Sequence, residues 1–196
     1  MEVYEEELAA AGVRLSLVRP VLPEDLIDED AFAVDEFLPY WAELWPAALA
    51  LAEALPDVRG LRVVELGCGL GVPSLVASAR GADVTATDWA ADAIELLREN
   101  ATRNGLALRA EVRDWRDEWD EHFDLVLAAD VLYEQRNVEP LIARLRALAP
   151  FALVGLAGRP YEQAFLADAG HVEEIAPRVV RVTRDRPAGP RGRPAA

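Results

Sequence analysis

The sequence predicts a doubly wound α/β sheet, and three observations carry the prediction. From residue 61 onward short apolar runs alternate with helix-period segments, the pattern of parallel strands joined by right-handed helical crossovers. Val63-Val64-Glu65-Leu66 passes directly into Gly67-Cys68-Gly69-Leu70-Gly71-Val72-Pro73. That stretch reads as a buried strand, a glycine turn and a helix N-terminus, because Pro73 suits a first helical turn. Two further strand-like runs, residues 171–175 and 179–183, leave no room for a helix between them, which makes them an antiparallel hairpin on the sheet edge.

Taken in order, residues 1–12 read as a short helix closed by Gly12, and residues 13–18 alternate as a strand. Residues 20–36 form a Pro- and acid-rich connector, either a solvated flap or the rim of an entrance. Residues 1–40 hold eleven acidic residues against two arginines. An aromatic lead-in from Phe37 to Pro46 runs into an Ala/Leu-rich helix over 47–55, and its Trp41 and Trp45 either pack helix on sheet or wall a pocket. Strands follow at 61–66, 83–87, 108–112, 123–129 and 151–156, with helices at 72–80, 90–104, 137–148 and 160–169. Gly81 and Gly105 stand at helix C-caps, and Ile94, Leu97 and Ala101 share one helix face. The tail, 186–196, has a disordered composition. The chain therefore divides into an N-terminal extension over 1–40, a domain over 41–185 and the tail.

Composition excludes several function classes. With 196 residues, 52% of them hydrophobic, the chain can build one large core. A net charge of -15 opposes binding to a phosphate backbone and favours a neutral or cationic partner, or simply keeps the protein soluble. All 20 basic residues are arginine. One cysteine and two scattered histidines supply neither a disulfide framework nor metal-ligand spacing. No secretory leader and no membrane-length apolar run is visible, so the expectation is a soluble, cytoplasmic protein.

The glycine turn is the first candidate site. Gly67, Gly69 and Gly71 alternate strictly, whereas a dinucleotide fingerprint needs its third glycine where Val72 stands. Glu65 would set a carboxylate beside a pyrophosphate, while a positively charged ligand would suit it. Asp88 ends the second strand of this unit, 21 residues after Gly67, where a carboxylate either accepts ribose hydroxyls or caps the following helix. Trp89 then stacks on a base or packs. Asp114 and Trp115 lie at the end of the third strand, where Asp114 could bond an adenine amino group; Trp115 either joins the site or covers the sheet edge, and Trp119 reads as an edge cover. Asp130 follows Ala129 at the end of the fourth strand, a costly place for a carboxylate unless it touches a substrate or caps a turn.

These residues resemble the class I, seven-strand S-adenosylmethionine-dependent methyltransferases over residues 61–184. Glu65 to Gly71 is similar to their first motif, Asp88 to their ribose-binding acid, and the terminal hairpin to their sixth and seventh strands. Within that superfamily, Pro39 to Pro46 and Asp130-Val131-Leu132-Tyr133 resemble the methyltransferase-like protein lysine methyltransferases, above all those modifying the electron-transfer flavoprotein beta subunit. The resemblance implies a Rossmann-like seven-stranded sheet, mostly parallel with a C-terminal antiparallel hairpin. It implies S-adenosylmethionine as cofactor, held by Trp45, Glu65, Gly67, Cys68, Gly69, Gly71, Asp88, Trp89, Asp114, Trp115 and Ala129. Asp130 and Tyr133 would face a cationic acceptor, Asp130 orienting the amine and Tyr133 desolvating it.

Other classes stay open at this stage. A small-molecule methyltransferase shares the fold and differs in its lid. A nucleic-acid amino methyltransferase would place prolines where Val131 and Leu132 stand. An NAD-linked oxidoreductase is disfavoured by the glycine spacing and Glu65, and a non-catalytic scaffold by the intact first motif.

Overall fold

The computed structural model describes residues 2–21 and 40–184. Seven strands form one sheet: β3 (Arg62–Leu66), β4 (Asp83–Asp88), β5 (Arg109–Val112), β6 (Leu125–Ala129), β7 (Phe151–Gly155), β8 (His171–Ala176) and β9 (Val179–Thr183). Their order is β5-β4-β3-β6-β7-β9-β8, parallel except for β9, which runs antiparallel to both β7 and β8. Every strand lies within two residues of its expected place, and the terminal hairpin sits on the sheet edge as the missing crossover predicted. The expected α/β methyltransferase-type sheet is therefore present.

Strand order reverses between β3 and β6, since β4 follows β3 on one side and β6 returns on the other. Open α/β sheets leave a crevice at the C-terminal ends of the strands at such a switch point. Alternate residues of β3 feed two cores: Val63 packs with α1 (Pro46–Glu53), α2 (Val72–Ala79) and α3 (Ala91–Arg103) on one face. Val64 and Leu66 pack with α4 (Val138–Leu148) and α5 (Glu162–Asp168) on the other. The glycine turn continues β3 into the crevice.

The N-terminus corrects the sequence reading. Residues 1–12 are not a helix: β1 (Val3–Ala10) pairs antiparallel with β2 (Val13–Pro20) in a separate two-stranded sheet. Ala11 and Gly12 have φ of 50° and 77°, as the two central residues of a tight hairpin turn require, so Gly12 closes a hairpin. Glu6, Leu8 and Ala10 are more covered than their neighbours, the period-two burial of a strand. Most of the acidic connector, Phe37 to Pro39 and the 186–196 tail lie outside the described residues.

Helix α3 holds the hairpin through two asparagines that act as a substitute strand. Asn100 accepts the Val18 N–H at 2.7 Å and donates to the Val18 carbonyl at 3.0 Å. Asn104 does the same for Ser16, at 2.8 Å in each direction. Four residues of helix rise about 6 Å and two residues of strand about 6.8 Å, so the spacings match. Among the described residues no helix is long and apolar enough to cross a membrane.

The asparagine clamp yields a stability prediction. Asn100 is fully buried, and Asn100→Ala leaves the Val18 amide and carbonyl unpaired, a cost of about 3 kcal/mol. Asn104 is partly exposed, and Asn104→Ala costs about 1 kcal/mol because water replaces the side chain. Urea midpoints read the difference; equal midpoints for the two variants would contradict this account.

Candidate functional site

The crevice is a cavity of about 750 Å³, counting its open mouth. Its floor is the glycine turn. The Gly69 N–H donates to Asp88 Oδ2 at 2.9 Å, Cys68 N–H to the Thr87 carbonyl at 2.9 Å, and Gly71 N–H to the Cys68 carbonyl at 2.7 Å. Gly71 begins α2 in the left-handed region at φ 69°, and a Cβ there would lie 2.5 Å from Leu97 Cδ1 on α3. A Cβ on Gly69 would lie 3.0 Å from the Trp41 carbonyl oxygen. These glycines let the lead-in and α3 close on the turn.

Gly67, Cys68, Gly69 and Gly71 line the cavity with Asp88 and Trp89. Trp115, Ala129, Asp130 and Tyr133 complete the strand side, and Trp41, Glu43 and Trp45 face them from the lead-in. Trp45 thus walls the pocket, while Trp41 serves both expected uses, lining the cavity and packing against the core. Trp119 packs its edge on Phe123 and lies under Arg113, as a cover for the sheet edge should.

Asp88 is 5% exposed. Beyond its Gly69 bond, Oδ1 accepts the Ala90 N–H at 3.0 Å at the start of α3. Ala90 is the N-cap of α3 and the helix takes no side-chain cap, so Asp88 braces the turn before the helix and does not cap it; of a carboxylate's roughly four acceptor positions, two are used here. Burial raises its pKa, against the pull of those backbone bonds.

Glu65 does not reach the cavity lining. It is 1% exposed, and its Oε2 accepts both the main-chain N–H of Ser74, at 2.9 Å, and the Ser74 hydroxyl. It joins the end of β3 to α2. Burial pushes its carboxyl up to about 8, outweighing the Ser74 bonds, so at pH 7 it is mostly neutral. Asp114 also stays off the lining: its carboxylate is forked onto Arg116, with Nε–Oδ1 at 2.9 Å and Nη2–Oδ2 at 2.6 Å. Burial raises the Asp114 carboxyl but Arg116 more than offsets this, leaving it below the usual range. The carboxylate the sequence reading overlooked is Glu43, exposed on the cavity wall.

The opposite end of the cavity is aromatic. Tyr40 lies 6.2 Å from Trp45 and 5.5 Å from Tyr133, centroid to centroid, and Trp45 Nε1–H donates to the Tyr40 carbonyl at 2.8 Å. Burial pushes the Tyr133 phenol up to about 12, with Asp88 and Glu134 adding to it. Asp130 turns out of β6 with φ 52°, a conformation that aspartate tolerates better than most residues. Its carboxylate is gripped by Arg159, Nε to Oδ1 and Nη2 to Oδ2, both at 2.8 Å. That guanidinium also lies 5.3 Å from the Trp45 ring centroid. Arg159 sits on the loop after β7, where Glu162 accepts the Ala157 N–H at 2.7 Å and the Gly158 N–H at 3.0 Å. Neither Arg159 nor Glu162 belongs to a local motif, so the sequence reading missed both.

Comparisons with known proteins agree with this geometry. A family model described as lysine methyltransferase matches residues 41–159. EEF1A lysine methyltransferase 3 of Mus musculus is 34% identical over 131 residues, 60% of this chain and 55% of the relative. The electron transfer flavoprotein beta subunit lysine methyltransferase of Rattus norvegicus is 32% identical over 135 residues, 62% of this chain and 52% of the relative. The chain spans about half the length of the curated relatives it matches. Among solved structures, a 16S rRNA N2 G1207 methyltransferase of T. thermophilus, in complex with AdoMet and guanosine, superposes with TM-score 0.65 and 19% identity over 92% of this chain and 50% of that one. A putative RNA methyltransferase from Pyrococcus horikoshii gives TM-score 0.59 and 20% identity over 73% of this chain and 87% of that one. At such identity the structural likeness is one of fold.

Glu65 generates a pH prediction. Its native pKa of about 8 lies above its ordinary 4.5, so the folded chain holds this proton more tightly than the unfolded one. Stability contributed by the neutral acid is complete below pH 4.5 and is lost as pH rises through 8. Glu65→Gln removes this loss, and its stability relative to the parent improves by about 1.4 kcal/mol per pH unit within that window. Urea unfolding at pH 6 and pH 8 measures the change; parallel pH profiles would show that native Glu65 is already ionised.

Proposed function

The chain belongs to the lysine methyltransferase family, and from that premise we propose that it transfers a methyl group from S-adenosylmethionine to a lysine ε-amine of another protein. The observation that carries the reading is the two-ended cavity, with a carboxylate beside a glycine turn at one end and Tyr40, Trp45 and Tyr133 around Asp130 at the other. We assign the reaction to residues 41–185. A cytoplasmic setting fits the one cysteine, Cys68, which is free and buried.

The donor set fits the cofactor. Asp88 keeps free acceptor positions for ribose hydroxyls, the exposed Trp89 offers a face to a base while Trp115 lines the cavity from the core, and Glu43 offers a carboxylate to an ammonium. Gly67, Cys68, Gly69 and Gly71 allow close approach of the backbone, Ala129 leaves space at the strand end, and Trp45 bounds the far side. Glu65 and Asp114 support this half from behind, through Ser74 and Arg116. When bound, S-adenosylmethionine supplies a methyl group activated on a sulfonium.

At the other end, the chain's task is to align a neutral amine. Alignment alone can supply roughly 7–11 kcal/mol. A lysine with pKa near 10.4 must first lose its proton, about 4.6 kcal/mol uphill at pH 7. The aromatic rings displace water from the amine and lower that cost. Asp130 accepts a hydrogen bond from the amine through the positions Arg159 leaves free. Tyr133, held as a phenol by its pKa of about 12, donates or accepts a hydrogen bond and does not act as the base. Solvent takes the proton.

The test is incubation with radiolabelled S-adenosylmethionine and a fractionated lysate. The chain contains no lysine, so label in its own band cannot come from self-methylation at lysine. Label in a protein fraction, recovered as methyllysine, is the expected outcome; label confined to small molecules would make it a metabolite methyltransferase. With the acceptor in hand, kcat/KM rises with pH from 7 toward 10. Tyr133→Phe lowers it about tenfold without changing the profile's shape. A Tyr133→Phe profile that loses its rise would make the tyrosine the base.

A further inference from the structure

Asp130 would be an expensive group to leave unpaired, since its side chain is 2% exposed. Its partner comes from neither its own strand nor the glycine unit. Arg159 reaches it from the loop after β7 with two bonds of 2.8 Å, and remains 33% exposed itself. A forked guanidinium fixes a carboxylate in plane as well as in place, which an ammonium cannot do. The loop is fastened in turn by Glu162, whose carboxylate bonds the Ala157 and Gly158 amides. The guanidinium lies over Trp45, 5.3 Å from its ring centroid; the indole is tied to the Tyr40 carbonyl, and the Tyr40 ring meets Tyr133 at a tilt of 48°, 5.5 Å between centroids. Since Tyr133 follows Asp130 by three residues, these contacts close into a ring across three separate chain segments.

Resting on the lysine methyltransferase reading, we infer that Arg159 is the positioning residue of the acceptor end: it orients the Asp130 carboxylate against the Trp45 wall without touching the acceptor itself. The half of the cavity built from the glycine turn and Asp88 does not depend on it. Arg159→Ala therefore loses acceptor turnover while keeping cofactor affinity.

The experiment compares wild type, Arg159→Ala, Arg159→Lys and Asp130→Asn. Titration calorimetry with S-adenosylhomocysteine is expected to give affinities within about threefold of each other, because the carboxylate pair lies outside the nucleoside contacts. Turnover on the labelled acceptor falls roughly 10- to 100-fold in R159A and R159K, with the KM for S-adenosylmethionine kept. Millimolar guanidinium restores part of the turnover of R159A and none of D130N. A merely structural arginine would show no such rescue. Wild-type turnover in R159A overturns the inference, as does lost turnover that guanidinium leaves unchanged while S-adenosylhomocysteine still binds. If R159A does not fold, R159K decides: turnover kept overturns the inference, and turnover lost with cofactor affinity kept supports it. The indole N–H resonance of Trp45, assigned with Trp45→Phe, reads the contact without any acceptor. It moves in R159A and returns with guanidinium; an unmoved resonance overturns the positioning, whereas a wild type that labels no protein overturns only the activity on which the inference rests.

Discussion

The close approach at the glycine turn is the constraint on which the rest of the site depends. A Cβ on Gly71 would collide with Leu97 at 2.5 Å, and one on Gly69 would press on the Trp41 carbonyl at 3.0 Å. The first contact sets how near α3 comes to α2; the second sets where the lead-in crosses the end of the sheet. Because Tyr40 and Trp45 flank Trp41, the far wall of the cavity takes its position from a residue of the floor. The turn is therefore a packing element as much as a ligand-facing one, and close packing tolerates little displacement at either contact.

An acidic chain has a particular difficulty with its interior, and the buried carboxylates show how it is met. Glu65 bonds Ser74, Asp88 bonds Gly69 and Ala90, Asp130 bonds Arg159, and Glu162 bonds Ala157 and Gly158. Each accepts hydrogen bonds from fixed donors, which offsets the cost of removing it from water. Only Asp88 and Asp130 of the four also line the cavity. Among the described residues, Glu43 adds an exposed carboxylate on the wall opposite the strands.

What the sequence made legible was whatever repeats locally. Period-two and period-3.6 patterns located the sheet strands and their helices within one or two residues, and the alternate glycines located the floor of the cavity. The N-terminal hairpin was misread because Glu5, Glu6, Glu7, Ala9 and Ala10 are common helix residues. Their strand state is decided by pairing with β2 and by asparagines more than eighty positions away. Arg159 and Glu162 carried no signal for the same reason, since their partners define them. For the Glu65 side chain's direction a signal existed: it shares strand parity with Val63, whose face packs on α2, where Ser74 bonds it. Strand parity is therefore a better guide to where a carboxylate points than proximity to a glycine turn.

The two ends of the cavity are built in different ways, and this decides how each responds to change. The floor of the cavity comes from one contiguous unit, β3 through the start of α3, so its geometry follows from local turn chemistry and adjacent strands. The aromatic end draws Tyr40 and Trp45 from before α1, Asp130 and Tyr133 from after β6, and Arg159 from after β7. Segments so far apart in sequence hold one shape only if the contacts between them close, as the Tyr40–Trp45–Arg159–Asp130–Tyr133 ring does. The aromatic end is thus specified by contacts that the shared fold does not fix, and a fold shared at 19–20% identity with RNA methyltransferases identifies no acceptor.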